Sequence, residues 1–118
     1  MKLYLAGPMR GKHQFNFPAF HKAAEALRAT GHEVFSPAER DEQMYGKNFS
    51  ANNLDGSEAL ATETQGFSIR EAMAADLNYI CLHAEGIALL PGWNKSRGSQ
   101  AELAAAKSIG LQIMWLEE

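Results

Sequence analysis

The chain has 118 residues, of which 46% are hydrophobic and 21% charged, a balance typical of one globular domain with its own core. Its formal net charge of −3 disfavours a nucleic-acid polymer as partner, and no stretch is apolar for long enough to be a signal peptide or to cross a membrane. The single cysteine excludes an internal disulfide framework and the four histidines lack metal-ligand spacing, so we expect a cytoplasmic protein without a metal or other cofactor.

The first third of the chain predicts two strands around one helix. Residues 2–6 form a short apolar run that ends at Gly-Pro, which is typical of a buried strand. Apolar residues then recur at helical spacing over residues 17–30, with Asn16 as the N-cap and Gly31 as the terminating residue. Residues 33–35 predict the second strand.

Residues 38–67 differ from the rest because they are polar and contain only scattered apolar side chains. A stretch of this length within a compact domain is usually a functional lid or a mobile segment. Residues 57–63 can form a short helix, and the apolar residues can instead serve a contact between subunits. We therefore expect one domain over residues 1–118, with a long loop or lid at about 38–67.

The remainder of the chain predicts two further helices and two strands. Ser68-Ile-Arg-Glu71 is a capping box that starts one helix, and Ser99-Gln-Ala-Glu102 is a second possible capping box. The expected order is a helix over 68–83, a strand over 86–90, a helix over 99–109 and a strand over 111–116.

Strands that alternate with helices indicate an α/β fold with a small parallel sheet of about four strands and right-handed crossovers. Such sheets bind ligands at the carboxyl ends of the strands, near the point where the strand order reverses. Three stretches follow predicted strands and are therefore the candidate site: residues 7–12, 36–39 and 91–102.

The stretch Gly7-Pro8-Met9-Arg10-Gly11 follows the first strand directly. Glycines let backbone N–H groups approach a ligand, and the Arg10 guanidinium has the geometry to bind a phosphate. The same spacing is also compatible with a strand-to-helix connection that needs glycine only for turn geometry.

Asp76 lies in the middle of an apolar helical stripe made by Ile69, Met73 and Ile80. Burying a carboxylate without a partner is costly, so Asp76 needs either a role in a site or a hydrogen bond to a neighbouring loop.

The stretch from Ser96 to Glu102 joins the third strand to the last helix, whose N-terminus can bind an anion. Glu102 either completes the capping box with Ser99 or lies as a free carboxylate at the sheet edge, where Asp76 can approach it. Tyr4 lies on the first strand near the same edge and is either a core aromatic or a catalytic residue. Trp93 either stacks on a base or covers the end of the sheet.

Basic residues are concentrated in these edge loops although the chain as a whole is acidic. This distribution favours a substrate that carries a phosphate, and ordinary surface charge is the alternative explanation. The residues concerned are Arg10, Lys12, Lys95 and Arg97.

Together these residues resemble the nucleoside 2-deoxyribosyltransferase superfamily, in particular its small phage and bacterial members, over most of the chain. Tyr4-Leu-Ala-Gly-Pro-Met-Arg-Gly11 is similar to the opening Tyr-x-x-Gly-Ser-Ile-Arg-Gly of the deoxynucleoside 5′-monophosphate N-hydrolase branch. Asp76-Leu is similar to the family's Asp-Leu on the corresponding helix, and Ser96 to Glu102 is similar to its Ser-x-Gly-x-Gly-x-Glu.

The resemblance implies a flavodoxin-like or Rossmann-like three-layer fold and a double-displacement mechanism. Glu102 would attack the anomeric carbon, Asp76 would assist protonation or position the base, and Tyr4 would orient Glu102. The substrate-binding residues would be Gly7, Met9, Arg10, Gly11, Trp93, Ser96, Gly98 and Ser99.

The chain also departs from the family pattern. Transferases for unphosphorylated nucleosides typically have an aspartate where this chain has Ser96, so the serine is more like the monophosphate hydrolases. Gln100 replaces the second glycine of Gly-x-Gly, and Pro8 replaces the serine of the hydrolase opening, which removes one hydroxyl and one N–H donor.

The expected function is therefore cleavage or transfer at the N-glycosidic bond of a (deoxy)nucleoside or its 5′-monophosphate through a glutamyl-glycosyl intermediate. The alternative is a non-catalytic module that binds or senses a nucleotide. In both cases the partner is a small nucleoside or nucleotide rather than a nucleic-acid polymer or a membrane. By analogy with the family we expect a homodimer or a higher homo-oligomer.

Overall fold

Four parallel strands form one sheet in the computed structural model, which describes residues 1–46, 49–50 and 53–117. Their order across the sheet is β2-β1-β3-β4. The strands are β1 (Lys2–Ala6), β2 (Glu33–Phe35), β3 (Gly86–Leu89) and β4 (Gln112–Trp115). The predicted small parallel sheet is confirmed, with bounds that differ from the prediction by at most one residue.

Helices cover both faces of this sheet. The helices are α1 (Phe17–Ala29), α2 (Pro37–Tyr45), α3 (Glu58–Gln65), α4 (Ile69–Leu82) and α5 (Arg97–Ser108). Successive strand residues point to opposite faces, so Leu3 and Leu5 pack in one core with α1, whereas Tyr4 and Ala6 pack in the other with α4 and α5. This is the three-layer flavodoxin-like fold that the sequence predicts.

The central strand β1 determines where a site can form. It pairs with β2 on one side and β3 on the other, so that Tyr4 lies between Phe35 and Ile87. The chain leaves β1 towards β2 and later returns to β3 on the opposite side of β1, which makes the gap between β1 and β3 the point of reversal. The segments after these two strands therefore border the natural ligand position.

The segment 38–67, expected to be a long loop or lid, contains helix α2 and helix α3. Helix α3 covers most of the stretch where a short helix was expected, but α2 was not predicted. The buried face of α2 includes Arg40 and Asp41, so its sequence has no apolar stripe to reveal it. Residues 47–48 and 51–52 of the segment lie outside the described residues, and movement of the segment as a lid stays a prediction.

Helix capping follows the sequence at α4 but not at α5. Ser68 caps α4 as predicted, because its Oγ accepts a hydrogen bond from the Glu71 N–H at 3.3 Å. The predicted cap of α5 at Ser99 was wrong, since the helix begins at Arg97 and the Ser96 Oγ accepts from the Ser99 N–H at 3.2 Å. Glu102 is thereby released from any capping role and lies in the second turn of the helix.

At α1, Asn16 occupies the predicted N-cap position without capping through its side chain, whose Nδ2 donates instead to the Pro8 carbonyl at 3.0 Å. Gly31 follows the helix with a φ of +97°, as expected of a terminating glycine. None of the helices described here is long and apolar enough to cross a membrane.

Candidate active site

A cleft with about 620 Å³ of empty space, part of it open to solvent, lies beside the carboxyl end of β1. Helices α2, α4 and α5 contribute to its walls. The structure brings Tyr4, Asp76 and Glu102, the three predicted catalytic residues, together on its lining.

A buried hydrogen bond joins β1 to α5 within this cleft. The Tyr4 hydroxyl donates to Glu102 Oε2 at 2.7 Å, and the two residues are 98 positions apart in the chain. Tyr4 is fully buried because β1 is the central strand, and Glu102 and Asp76 are each only 6% exposed. The bond orients the Glu102 carboxyl group, which matches the role that the family resemblance implies for Tyr4.

The two carboxyl groups influence each other's protonation. Burial, followed by the charge of Asp76, raises the pKa of Glu102 well above its usual range. Burial also raises the pKa of Asp76, but the neighbouring Arg40 and a hydrogen bond with Glu102 oppose this rise. Both directions favour a proton on Glu102 and a charge on Asp76, which Arg40 contacts directly.

Tyr4 stays a hydrogen-bond donor over the whole physiological pH range. Burial, and then the adjacent carboxyl groups of Glu102 and Asp76, raise the pKa of its hydroxyl well above the usual value. A permanent donor next to Glu102 favours the ionised form of that carboxyl group, and this hydrogen bond lowers the Glu102 pKa against the effect of burial.

Helix α2 contributes two charged residues that sequence reasoning missed. Arg40 is 9% exposed and Asp41 is 2% exposed, and both line the cleft. The Arg40 Nη1 donates to Asp76 Oδ1 and to the Ala72 carbonyl, while its Nε and Nη2 donate to Asp41 Oδ1 at 3.0 and 2.7 Å. The one available signal was Ser36-Pro37, a typical helix start directly after the second strand.

Six of the eight predicted substrate-binding residues lie on the cleft lining: Gly7, Met9, Arg10, Ser96, Gly98 and Ser99. Gly7 is required where it stands, because a Cβ there would lie 2.8 Å from the Leu90 side chain. The absence of a side chain at Gly7 lets the end of β1 approach the segment after β3.

The structure does not bring Gly11 and Trp93 to the cleft lining. The Gly11 N–H donates to the Gly56 carbonyl at 2.9 Å, so it is already used within the protein. Trp93 lies in the 3₁₀ turn Trp93–Lys95 and packs on Trp115, the last residue of β4, with ring centroids 5.2 Å apart. This packing favours the alternative that Trp93 covers the end of the sheet, and a stacking role in the site stays a prediction.

The structure places fewer of the predicted basic residues on the cleft lining than the sequence suggests. Of the four cations, only Arg10 lines the cleft, and its Nη1 is bound to Glu58 Oε1 at 2.8 Å. Glu58 therefore shares this guanidinium with any phosphate that binds it and offsets part of its charge.

Ser99 provides an unsatisfied polar atom on the cleft lining. Its side chain is buried, and the Ser99 Oγ has no hydrogen-bond partner within the described part of the chain. It lies in the first turn of α5, where free N–H groups and the helix dipole favour an oxygen-rich group. A ligand oxygen would satisfy the hydroxyl that the fold leaves unpaired.

Aromatic rings form the apolar wall of the cleft, and this wall was also missed from the sequence. Phe15, Phe49 and Phe67 line it, and Phe15 stacks on Phe49 with centroids 5.3 Å apart. Phe15 reaches this position through a left-handed turn, with φ values of 51°, 54° and 63° at Gln14, Phe15 and Asn16. Each such residue costs roughly 1 kcal/mol or more, a strain that is usually retained at functional sites.

Comparison with known proteins agrees with this architecture. A family model described as "Domain of unknown function (DUF4406)" matches residues 1–115. The chain belongs to the DUF4406 family. A search of curated proteins finds no match.

This DUF4406 chain is also similar to a solved structure of a 2-deoxyribosyltransferase from the psychrotolerant bacterium Bacillus psychrosaccharolyticus, described as a biocatalyst for the synthesis of antiviral and antitumoral nucleosides. The TM-score is 0.62 and the identity is 25%, over 98% of this chain and 71% of the other. The resemblance to the nucleoside 2-deoxyribosyltransferase superfamily is thus confirmed at the level of structure.

A second cleft lies between α1 and the segments after β3 and β4, with Lys12, Lys22, Leu90 and Leu116 on its lining, and it contains none of the buried carboxyl groups. Within the part of the chain that the structure describes, no group of three or more His, Cys, Asp or Glu side chains is arranged to hold a metal ion. The buried carboxyl groups of Asp41, Asp76 and Glu102 line the first cleft.

Proposed function

We propose that this DUF4406 protein cleaves or transfers at the N-glycosidic bond of a nucleoside or its 5′-monophosphate. The observation that carries the proposal is the buried Asp76–Glu102 carboxyl pair, in which Glu102 accepts a hydrogen bond from Tyr4 and lies beside an aromatic wall. The similarity in fold to a 2-deoxyribosyltransferase supports it. Such a pair can supply both the nucleophile and the proton that the reaction needs.

In the first step, a Glu102 carboxylate oxygen attacks the anomeric carbon C1′. The C1′–N bond breaks, and its electron pair stays on the nitrogen of the leaving base. The proton held on Glu102 in the resting pair passes through Asp76 to this base, so that Glu102 becomes nucleophilic as the base becomes a better leaving group. The products are the protonated base and a glycosyl ester of Glu102.

In the second step, water or a second base attacks C1′ and breaks the ester bond. Water returns a proton to Glu102 and releases the free sugar, which is hydrolysis; a second base returns its N–H proton and forms a new nucleoside, which is transfer. Asp76 is a carboxylate at the beginning and at the end, so the buried site gains no net charge over the cycle. This constancy favours the reaction because uncompensated charge is costly in a buried cleft.

The substrate is proposed to lie with its base on the aromatic wall of Phe15, Phe49 and Phe67 and its 5′ end at the first turn of α5. The unpaired Ser99 hydroxyl supports this orientation, because it can bind either a 5′-hydroxyl or a phosphate oxygen. Arg10 can add a charge to a phosphate at this end, but its pairing with Glu58 reduces the gain. The 5′-monophosphate and the unphosphorylated nucleoside are therefore compared directly in the assay.

One observation favours a second candidate, a non-catalytic module that binds a nucleotide. The raised pKa of Glu102 means that the resting protein holds this residue as a neutral acid, which donates hydrogen bonds but is not a nucleophile. A binding module would keep this state throughout. The two candidates differ in whether Glu102 ever loses its proton to a base.

The test is release of free base, measured by chromatography, from a panel of nucleosides and their 5′-monophosphates with and without an acceptor base. We expect release by the wild type and a loss of at least ~100-fold in Glu102→Gln, because the amide removes the nucleophile. The amide is similar in shape to a protonated carboxyl group, so ligand binding, measured by thermal shift, should persist.

Glu25→Gln is the matched control, since Glu25 is exposed on α1 and does not line the cleft. It should release base at the wild-type rate. No release from any substrate by the wild type, together with a clear thermal shift, would contradict the enzyme and support the binding module.

A further inference from the structure

Arg40 lies at the centre of the buried charges and contacts two carboxyl groups at once. Its Nη1 donates to Asp76 Oδ1, and its Nε and Nη2 donate to Asp41 Oδ1. A third acceptor, the Ala72 carbonyl at 2.9 Å, fixes the guanidinium plane against α4. The proposed reaction gives no role to Arg40, although its guanidinium is fixed by more hydrogen bonds than the side chain of any predicted substrate-binding residue.

The charges around the pair do not balance when every group is ionised. Asp41, Asp76 and Glu102 then carry three negative charges against the one positive charge of Arg40, a net of −2 in a buried region. Such an excess is strongly unfavourable, so the cluster retains a proton at neutral pH. The charged and titratable groups that face it are Tyr4 from β1, Arg10 from the following loop, Arg40, Asp41 and Glu42 from α2, Asp76 from α4 and Glu102 from α5.

We propose that Arg40 is a positioning residue that decides which carboxyl group holds this proton. By donating to Asp76 it keeps Asp76 charged, so the proton resides on Glu102 until a leaving base accepts it. Asp41 weakens the effect of Arg40 on Asp76, because it accepts hydrogen bonds from the same guanidinium and adds a negative charge next to Asp76. The role of Arg40 in the reaction rests on the proposed function, whereas its placement of the proton does not.

The direction of the pKa changes agrees with this assignment. The charge of Arg40 lowers the pKa of both Asp76 and Glu102, but it contacts Asp76 directly. The negative charges of Asp41 and Asp76 act against the effect of Arg40, because each raises the pKa of the other carboxyl group. The charge of Asp76 contributes to the raised pKa of Asp41 in this way. Removing the cation and removing the competing anion should therefore move the titration of Asp76 in opposite directions.

The experiment follows the side-chain carboxyl carbons of Asp76 and Glu102 by ¹³C NMR as a function of pH. In Arg40→Met the Asp76 midpoint should rise by roughly one pH unit or more, because an opposite charge in contact has been lost. In Asp41→Asn the same midpoint should fall, and Arg40→Lys should restore most of the wild-type value. Arg28→Met is the control, because Arg28 forms an exposed ion pair with Glu39 outside the cleft.

The pH dependence of base release gives the functional reading of the same variants. The reaction needs Asp76 as a carboxylate. The acid limb of the profile should therefore move to higher pH in Arg40→Met and to lower pH in Asp41→Asn, following the NMR midpoints. If Arg40 had a purely structural role, its replacement would lower the rate, but the acid limbs of the two variants would not move to opposite sides of the wild-type pH. Because Arg40→Met leaves two buried carboxylates without a cation and can prevent folding, Asp41→Asn alone decides the test in that event, through the expected fall of the Asp76 midpoint and of the acid limb to lower pH.

Shifts of Asp76 in the same direction in Arg40→Met and Asp41→Asn, or a midpoint in Asp41→Asn that stays at the wild-type value or rises, would overturn the proposal. Opposite shifts in the NMR titration without any base release by the wild type would establish the placement of the proton and reject the reaction instead.

Discussion

Tyr4 is the residue that connects the centre of the sheet to the proposed chemistry. Its ring is fully buried in the core that also contains Ile87 and Leu103, and its hydroxyl reaches Glu102 at 2.7 Å. The same side chain therefore contributes to the stability of the fold and to the protonation of the carboxyl pair. These two effects can be separated, because only the second depends on the hydroxyl.

Replacing Tyr4 with Phe keeps the ring and removes the donor. The Tyr4 hydrogen bond lowers the Glu102 pKa, so its loss should raise that pKa and move the alkaline limb of base release to higher pH. The neutral-pH rate should fall, because Glu102 retains its proton more strongly. The free energy of unfolding, measured in urea, should decrease by about 1 kcal/mol through loss of a buried hydrogen bond.

Tyr79→Phe is the control, since the Tyr79 ring stacks on Phe35 with ring centroids 4.6 Å apart and Tyr79 does not line the cleft. Its pH profile should match the wild type. An alkaline limb that stays in place in Tyr4→Phe would show that the hydroxyl does not tune Glu102.

At the scale of elements, helices α4 and α5 have equivalent N-caps but different surroundings. Ser68 Oγ and Ser96 Oγ each accept one bond from the backbone N–H three residues later, at 3.3 and 3.2 Å. Ser96 lines the cleft, whereas Ser68 does not. The two serines are therefore a natural pair for separating helix stability from ligand binding.

We expect Ser68→Ala and Ser96→Ala each to lower the free energy of unfolding by about 1 kcal/mol, the usual cost of losing a serine cap. Only Ser96→Ala should also weaken binding of a nucleotide, because it loosens the first turn of α5 at the cleft. Urea unfolding and a thermal-shift titration of both variants test this. Equal weakening of binding in the two variants would show that α5 does not hold the ligand.

The charged pocket also affects the stability of the whole molecule. Burial outweighs the opposing effect of Arg40 and raises the pKa of Asp41 from 3.8 to about 6, and burial likewise raises the pKa values of Asp76 and Glu102. A carboxyl group with a raised pKa binds more protons in the folded state than in the unfolded state between the two values. Its contribution to stability is therefore complete below the unfolded pKa and is lost as the pH rises through the folded pKa.

We predict that the free energy of unfolding decreases from about pH 4.5 to above pH 6, with Asp41 alone contributing about 2 kcal/mol over this range, at ~1.4 kcal/mol per pH unit up to its pKa of about 6. Glu39, whose pKa is lowered by Arg28, acts in the opposite sense, but its contribution is lost only as the pH falls below its ordinary value of 4.5. Urea unfolding at pH 4.5, 6 and 7.5 measures the slope, and Asp41→Asn should flatten it. A stability that increases over this range would contradict the assignment.

The sequence by itself determined the features whose signals are local. Alternating strand and helix patterns predicted a parallel sheet of about four strands, the Ser68 capping box fixed the start of α4, and the apolar stripe around Asp76 predicted its burial, which is 94% complete. Motif spacing also placed Glu102 and Tyr4 at the same edge of the sheet. Each inference depends on residues close in the chain or on a general rule for parallel sheets.

Only the tertiary structure decided the partners of these residues. Arg40 and Asp76 are 36 positions apart, and a helix whose buried face is charged leaves no hydrophobic period from which α2 or this contact can be read. The same limit explains why Trp93 was assigned to the site although it packs on Trp115, and why the wall of Phe15, Phe49 and Phe67 was missed. Local patterns fix which elements form, but long-range packing alone determines which side chains share a buried cleft and therefore which carboxyl group holds the proton.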